Sequence, residues 1–467
     1  MSCAYMAKYS MMVIYIFLEE KILMKKKSLF AVLLAVAVLI NIVIPVFADV
    51  PTPPDIHAEA GILMDLKTGR VIYSKNPDEK LYPASTTKIL TAIIALEEGN
   101  LDDVVTASAD AIAPITLQDS HMGILVGEQL TLDQLVNGML IYSANDAANV
   151  IAVHIAGSLD AFAQKMNQKA KAIGAVNSNF VNPHGFHNDN HYTTASDLAA
   201  IARYAMTNDK ISAKFREIVS TDLFTIQPTN KYKEVRYLSS TNHLISKRRN
   251  SYHYYPYAIG VKTGYTSQAK NCLVAAASKD GTEFLTVVLK DENTNSTDGA
   301  YTFVDTRALF DYAFENYQYQ AVSKPGDILS DSKVEEAKNS VRVALTPKDE
   351  IGALLPKGID IDNAITKDIK VNEDIQAPIT KGDVLGSVSY TYNGENIGTT
   401  DLIASNDVER DTILFIIHSV VKVVTSPFLY VPVILIAVLI VVLKIRKGNN
   451  RKSRRGGFGY GRRNRYR

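Results

Sequence analysis

Three short motifs carry the residue types that acyl transfer needs. The first is "ASTTK", which sets Lys88 three positions after Ser85. Positions i and i+3 share a helix face, so the ammonium lies within reach of the hydroxyl. A serine hydroxyl is a weak nucleophile until a base takes its proton. A lysine buried among apolar residues has a lowered pKa, because desolvation disfavours its cation, and can serve as that base. "KILTAIIALEEG" supplies the burial, with Ile89, Leu90, Ala92, Ile93, Ile94 and Leu96 apolar on almost every face. At a helix start, free N–H groups also favour developing negative charge.

The second motif is Ser143 and Asn145 in "YSAND". A hydroxyl there can pass a proton to a leaving amine, and an amide can hold a substrate carbonyl. The third is Lys262, Thr263 and Gly264 in "GVKTGYT". A lysine and a threonine on one strand can hold a carboxylate, and the glycine leaves space for a substrate backbone along the strand edge. The backbone N–H groups of Ser85 and Tyr265 are the expected oxyanion hole. Singly these signals are weak, since S-x-x-K should occur roughly once or twice in a chain of this length. The same K-T-G letters recur at Lys67–Gly69, where the context reads as a hairpin turn. It is the three motifs in this order and in these contexts that are specific.

The elements that must position them follow from periodicity. Residues 60–76 alternate as a β-hairpin. Helices are expected from Ser85 to near Gly99, over 129–157 in two pieces broken at 142–146, over 159–173 and over 194–207. Thr131 and Gln134 are spaced as a capping box. Strands return at 258–266, 271–281 and 282–292, and a last helix spans about 300–317. That order predicts an α+β fold, helices flanking one antiparallel sheet whose strands come from both ends of the segment. Residues 320–408 form a small β-rich domain, with Asn393 and Gly394 at a hairpin turn.

The chain resembles the low-molecular-mass penicillin-binding proteins that are serine-type D-Ala-D-Ala carboxypeptidases. The resemblance rests on "PASTTKILTA", "GEQLTLDQLVNGMLIYSANDAAN", "FVNPHGFHNDNHYTTASDLAAIA" and "GVKTGYTSQAKNCLVAAA", and covers residues 55–318. It implies the sheet-and-helix fold of serine β-lactamases and D,D-peptidases. It makes Ser85 the acylated nucleophile, Lys88 its base, Ser143 a proton carrier, Asn145 a holder of the substrate amide, and Lys262 and Thr263 the carboxylate site. The implied substrates are peptidoglycan stem peptides, with β-lactam antibiotics as covalent inhibitors and no metal or cofactor. His184 and His187, which might suggest a metal, fall in a loop of the family pattern.

Rival readings are a D,D-endopeptidase cutting cross-links, a β-lactamase and an inactive wall-binding scaffold. No glutamate occurs between Glu128 and Glu217, where a class A β-lactamase carries the one that activates its deacylating water. "SKRRNSYHYYPYA" departs from the family pattern; it reads as a solvated loop, with contact of Arg248 and Arg249 to an anionic wall polymer as the alternative.

Composition fits a globular, exported body. Net charge is +1, yet eleven lysines and arginines and no acid follow from Lys444 onward, so the body is acidic and no nucleic-acid partner is expected. Residues 24–48, three lysines then an apolar run ending in Val46–Ala48, read as a signal peptide, and 1–23 as a start assigned too early. Residues 423–443 carry no charge and are long enough for a membrane helix. The basic tail, 444–467, then lies in the cytoplasm beside anionic lipid, with the catalytic domain outside. "DTILFIIHSVVKVV" before the span has the character of an interfacial helix. Of the two cysteines, Cys272 reads as a small buried strand residue.

Overall fold

The computed structural model describes residues 51–116, 118–249, 251–292, 294–295 and 299–453. Residues 1–23, the stretch 24–48 that reads as a signal peptide, and the end of the tail lie outside the described residues. The chain divides into two compact units: one holds the described residues up to Tyr319 with Leu354–Ile359, the other Gln320–Ala353 and the described residues from Asp360 onward.

The first unit is built on five antiparallel strands. β1 (Ala60–Asp65) and β2 (Val71–Lys75) form the expected hairpin. β3 (Ala258–Thr266), β4 (Lys270–Lys279) and β5 (Thr282–Asp291) return late in the segment, and the sheet runs β2-β1-β5-β4-β3. β3 is therefore an edge strand. Alternation explains why β4 reads as a continuous apolar run. Cys272, Val274 and Ala276 face one apolar cluster, while Leu273, Ala275 and Ala277 face another. A strand covered on both faces loses its polar phase.

The larger cluster lies under the helices. α1 (Lys88–Glu98), α2 (Leu132–Ile141), α3 (Asn145–Ala156), α4 (Leu159–Ile173), α5 (Ala195–Thr207) and α6 (Ser212–Val219) contribute to it. The Thr131–Gln134 capping box starts α2 as its spacing predicts. α7 (Tyr301–Asn316) covers the opposite face of the sheet with Leu309, Phe310 and Ala313. Lys67–Gly69 is a turn, Gly69 lying at φ 81°, where a residue without Cβ is at ease. α6 and the short hairpin Leu223–Ile226/Arg236–Ser239 are absent from the expected order. The sequence boundary near 320 also misses the return of Leu354–Ile359. Leu354 is buried in the α7-side cluster, and Lys357 donates through N–H to Asn316 O and through Nζ to Phe314 O.

In the second unit β6 (Ser330–Lys333), β7 (Arg342–Pro347), β8 (Ile365–Val371), β9 (Val384–Tyr392) and β10 (Glu395–Ala404) form a sheet ordered β6-β7-β10-β9-β8. The β9–β10 turn has both Asn393 (φ 49°) and Gly394 (φ 84°) left-handed, the geometry that the Asn-Gly pair favours. Two helices follow, α8 (Thr412–Val424) and α9 (Pro427–Ser453). The charge-free stretch 423–443 is thus divided between them. Among the described residues, no helix is long and apolar enough to cross a membrane.

Candidate active site

Ser85 sits on one turn of 3-10 helix, Ala84–Thr87, that leads into α1. Ala84 is left-handed (φ 48°), as is Ser143 (φ 68°). Non-glycine residues persist there only where their surroundings hold them, often at working sites. The turn is clamped from three sides. Thr87 Oγ1 is 2.9 Å from His191 Nε2, and His191 Nδ1 accepts from Val181 N–H at 3.2 Å. The imidazole is therefore neutral with its proton on Nε2, donating to Thr87; burial, with the charge of Lys88, lowers its pKa to about 3. Gly185 packs so close that a Cβ there would overlap Ala84 O. Gly264 passes on the third side, where a Cβ would lie 3.1 Å from the Ser85 amide nitrogen.

Lys88 is fully buried, and its Nζ makes three contacts: Ser85 Oγ at 2.8 Å, Asn145 Oδ1 at 2.7 Å and His184 O at 2.8 Å. Burial, then the charge of Lys262, pull its pKa well below the ordinary lysine value, against Asp146 and Asp119. Deprotonated, the amine has two N–H groups and one lone pair. Asn145 Oδ1 and His184 O can only accept, so they take both N–H groups. The lone pair is left for the Ser85 hydroxyl proton, which is the arrangement of a general base. Burying a lysine costs several kcal/mol. Ile89, Leu90, Ile93 and Ile94, all fully buried on the same helix, offset it at about 1.5–3 kcal/mol each.

Asn145 opens α3, and its N–H donates to Ser120 O. Because Oδ1 is occupied by Lys88, its NH2 is the part left for a ligand. Ser143, Thr263, Gly264 and Tyr265 line, with Ser85, a cavity of about 520 Å³. A second cavity of about 380 Å³ meets it at Ser85 and carries Asn145, Phe186 and His187. Lys262 is placed differently from the rest. It is buried within the sheet, donates to Thr263 O at 3.0 Å and does not line either cavity, and burial lowers its pKa to about 7. Thr263 presents its hydroxyl, 2.6 Å from that of Thr241.

Several groups have no motif to announce them. Thr241, Gly185 and the carbonyl of His184 are of this kind. So is the clamp on the loop before Gln129, which carries Gln118 and Ser120 into the cleft. Asp146 accepts from the N–H groups of Met122 and Ile124, and the buried Glu128–Arg236 pair, 2.7 Å apart, ties the loop to the Arg236 hairpin. Cys272 is a buried strand residue whose thiol is pushed up to about 12 by burial. Among the described residues, no group of three His, Cys, Asp or Glu is arranged to hold a metal. The arginines of the 247–257 loop have partners within the fold: Arg248 pairs with Asp222, and Arg249 donates to Ser240 O.

This fold, with Lys88 Nζ set beside Ser85 Oγ, is that of the serine acyl-transfer enzymes of the penicillin-binding type. Residues 48–293 match the family model of the S11 peptidases, D-alanyl-D-alanine carboxypeptidase, and residues 317–410 match the C-terminal domain of penicillin-binding protein 5. The chain belongs to the S11 D-alanyl-D-alanine carboxypeptidase family. It is 33% identical over 359 residues to the D-alanyl-D-alanine carboxypeptidase DacF of Bacillus subtilis, covering 76% of this chain and 86% of that one. It is 30% identical over 373 residues to a D-alanyl-D-alanine carboxypeptidase of Haemophilus influenzae, with the same coverage. The solved penicillin-binding protein 5 of Haemophilus influenzae superimposes with a TM-score of 0.58 at 28% identity, over 77% of this chain and all of the other.

Proposed function

We propose that Ser85 is the nucleophile with which this serine D,D-carboxypeptidase of cell-wall metabolism removes the terminal D-Ala from peptidoglycan stem pentapeptides. Lys88 takes the hydroxyl proton as Ser85 Oγ attacks the carbonyl between the two D-Ala residues. The Ser85 and Tyr265 amides stabilise the oxyanion. Ser143 returns a proton to the departing D-Ala nitrogen, and water then releases the tetrapeptide from Ser85. Asn145 donates its NH2 to the substrate amide, while Thr263, backed by the charge of Lys262, holds the terminal carboxylate. The observation that carries this reading is the Lys88 amine held between two carbonyl acceptors with Ser85 Oγ at 2.8 Å. Labelled penicillin should acylate Ser85 in one-to-one ratio, read by peptide mass spectrometry. A label on any other residue contradicts it. The same acyl-enzyme should turn over slowly, given the missing glutamate; rapid hydrolysis of a chromogenic cephalosporin would identify a β-lactamase instead.

For location, the reading is an exported catalytic body, residues 55–318, followed by the β-rich domain, 320–408, and held at the cell membrane by the C-terminal segment. Its supports are the charge-free run 423–443, the basic tail after it, and the exposed apolar side chains of α8, among them Ile413, Ile416 and Val420. Deleting residues 411–467 should move the protein from the membrane fraction to the soluble one; continued sedimentation with membranes contradicts the anchor.

A further inference from the structure

The 520 Å³ cavity continues past Thr263 to a wall of stacked rings that the mechanism above does not use. His243 lies flat on Phe303, with centroids 5.0 Å apart at 11°, and His253 stacks behind it at 6.1 Å. His243, Phe303, Thr302 and Thr241 line this end of the cavity. The segment carrying His243 is braced. Thr241 N–H donates to Ile141 O, Arg249 to Ser240 O, and Leu244 N–H to Asn242 Oδ1. Arg249 and His253 are thus used inward, which gives the unusual 247–257 loop a role in shaping the cleft.

Nδ1 of His243 is buried and has no hydrogen-bond partner among the described residues, and the ring lines the cavity. Burial, with Arg249 and His253 beside it, holds its pKa below that of ordinary histidine, so the ring carries a single N–H at neutral pH. An orphaned buried donor is rarer than an orphaned acceptor. The proton therefore belongs on Nε2, the nitrogen that is not sealed off. Among the described residues lining this cavity, His243 alone has a basic nitrogen, and the hydroxyls of Thr241 and Thr263 stand at the same end. Because one of the two threonine hydroxyls donates to the other, one O–H remains free at this end of the cavity beside the imidazole N–H, a pair of donors that suits a carboxylate.

We infer that His243 is a specificity-determining residue for the leaving group, its Nε2–H donating to the terminal carboxylate of the departing D-residue beside Thr241 and Thr263. The inference rests on the assignment of the Lys262–Thr263 strand as the carboxylate site. The test compares two peptides on the full chain, one ending in D-Ala-D-Ala and the other in D-Ala-D-alaninamide. The readout is the acid-to-amide ratio of kcat/KM. His243→Phe keeps the ring stack and removes the donor; the ratio should fall tenfold or more, mainly through KM for the acid. His243→Gln keeps an N–H donor and should lie between. Stoichiometric labelling by saturating penicillin certifies each site as folded. If Thr263→Val collapses the ratio while both His243 variants keep it, the carboxylate site stands and the role of His243 is overturned. If Thr263→Val also leaves the ratio unchanged, the carboxylate assignment fails and takes the inference with it.

Discussion

The nitrogen of Lys88 lies 2.8 Å from Ser85 Oγ, with its other two contacts on the carbonyl oxygens of Asn145 and His184. This relationship makes the direction of proton transfer a consequence of valence: a neutral amine bonded to two acceptors has only its lone pair left for the serine. Lys88→Met should slow acylation by labelled penicillin by 10²–10⁴-fold, the usual range for a lost general base. Asn145→Leu should slow it as well, by freeing the amine to rotate. Acylation of either variant at the wild-type rate, in rapid-quench labelling, would sink this role for Lys88.

The two buried lysines give the pH profile opposite limbs. Lys88, whose pKa burial and then the charge of Lys262 lower, must be neutral to act as the base, so kcat/KM rises with pH as it loses its proton. Lys262, at about 7 in the free enzyme, loses the counter-charge for the carboxylate as pH rises. A bound carboxylate favours the cation, so the alkaline fall should appear in kcat/KM and not in kcat. Initial rates from pH 5 to 10 test this. An identical alkaline limb for the amide-terminated peptide would contradict it.

Lys262 should also cost stability. Its folded-state pKa, about 7, lies below the unfolded value near 10.5, so the unfolded chain binds the extra proton between these limits. The penalty is full below pH 7 and fades as pH rises towards 10.5. Lys262→Met should therefore stabilise the fold by about 2 kcal/mol at pH 6 and by less at pH 10, while carboxypeptidase activity is lost. Thermal melts at the two pH values decide it; a lower Tm for the variant at pH 6 would be the wrong sign.

Gly185 is required by both its backbone and its neighbour. It lies at φ 86° with Ala84 O where a Cβ would go. Gly185→Ala must move the Ser85 turn or the loop that supplies the His184 carbonyl. Penicillin acylation should drop at least tenfold, beyond any change in Tm. Wild-type acylation would mean that the turn is not held from this side.

The Glu128–Arg236 pair is buried and bidentate. Burial raises the pKa of the carboxyl, but its bonds from Arg236, Thr229 and Leu125 N–H outweigh this and leave it lowered. Arg236→Met leaves that carboxylate uncompensated, at a cost of about 3–5 kcal/mol. Denaturant unfolding measures the loss; under 1 kcal/mol would show that water reaches the site.

Much of the site was legible because its chemistry is local in sequence. Ser85 and Lys88 are one turn apart, and the break that displays Ser143 and Asn145 follows from the Thr131 cap and the small residues after Tyr142. The K-T-G strand and its neighbours alternate clearly. What escaped notice depends on contacts across long separations. Thr241 matters because β3 brings Thr263 beside it, and the carbonyl of His184 has no side-chain signature at all. Leu354–Ile359 joins the first unit through packing on α7, which no local pattern records. The 423–443 run reads as one apolar segment, whereas the chain breaks it ahead of Pro427, a residue suited to the first turn of a helix.

The most direct measurement is D-Ala release from a stem pentapeptide by the wild-type chain and by Ser85→Ala. The account predicts release by the wild type, blocked by penicillin, and none above background from the variant. Release that persists in Ser85→Ala would contradict the nucleophile. Absence of release from the wild type, with Ser85 still acylated by penicillin, would contradict the substrate and leave cross-linked peptides to be tried.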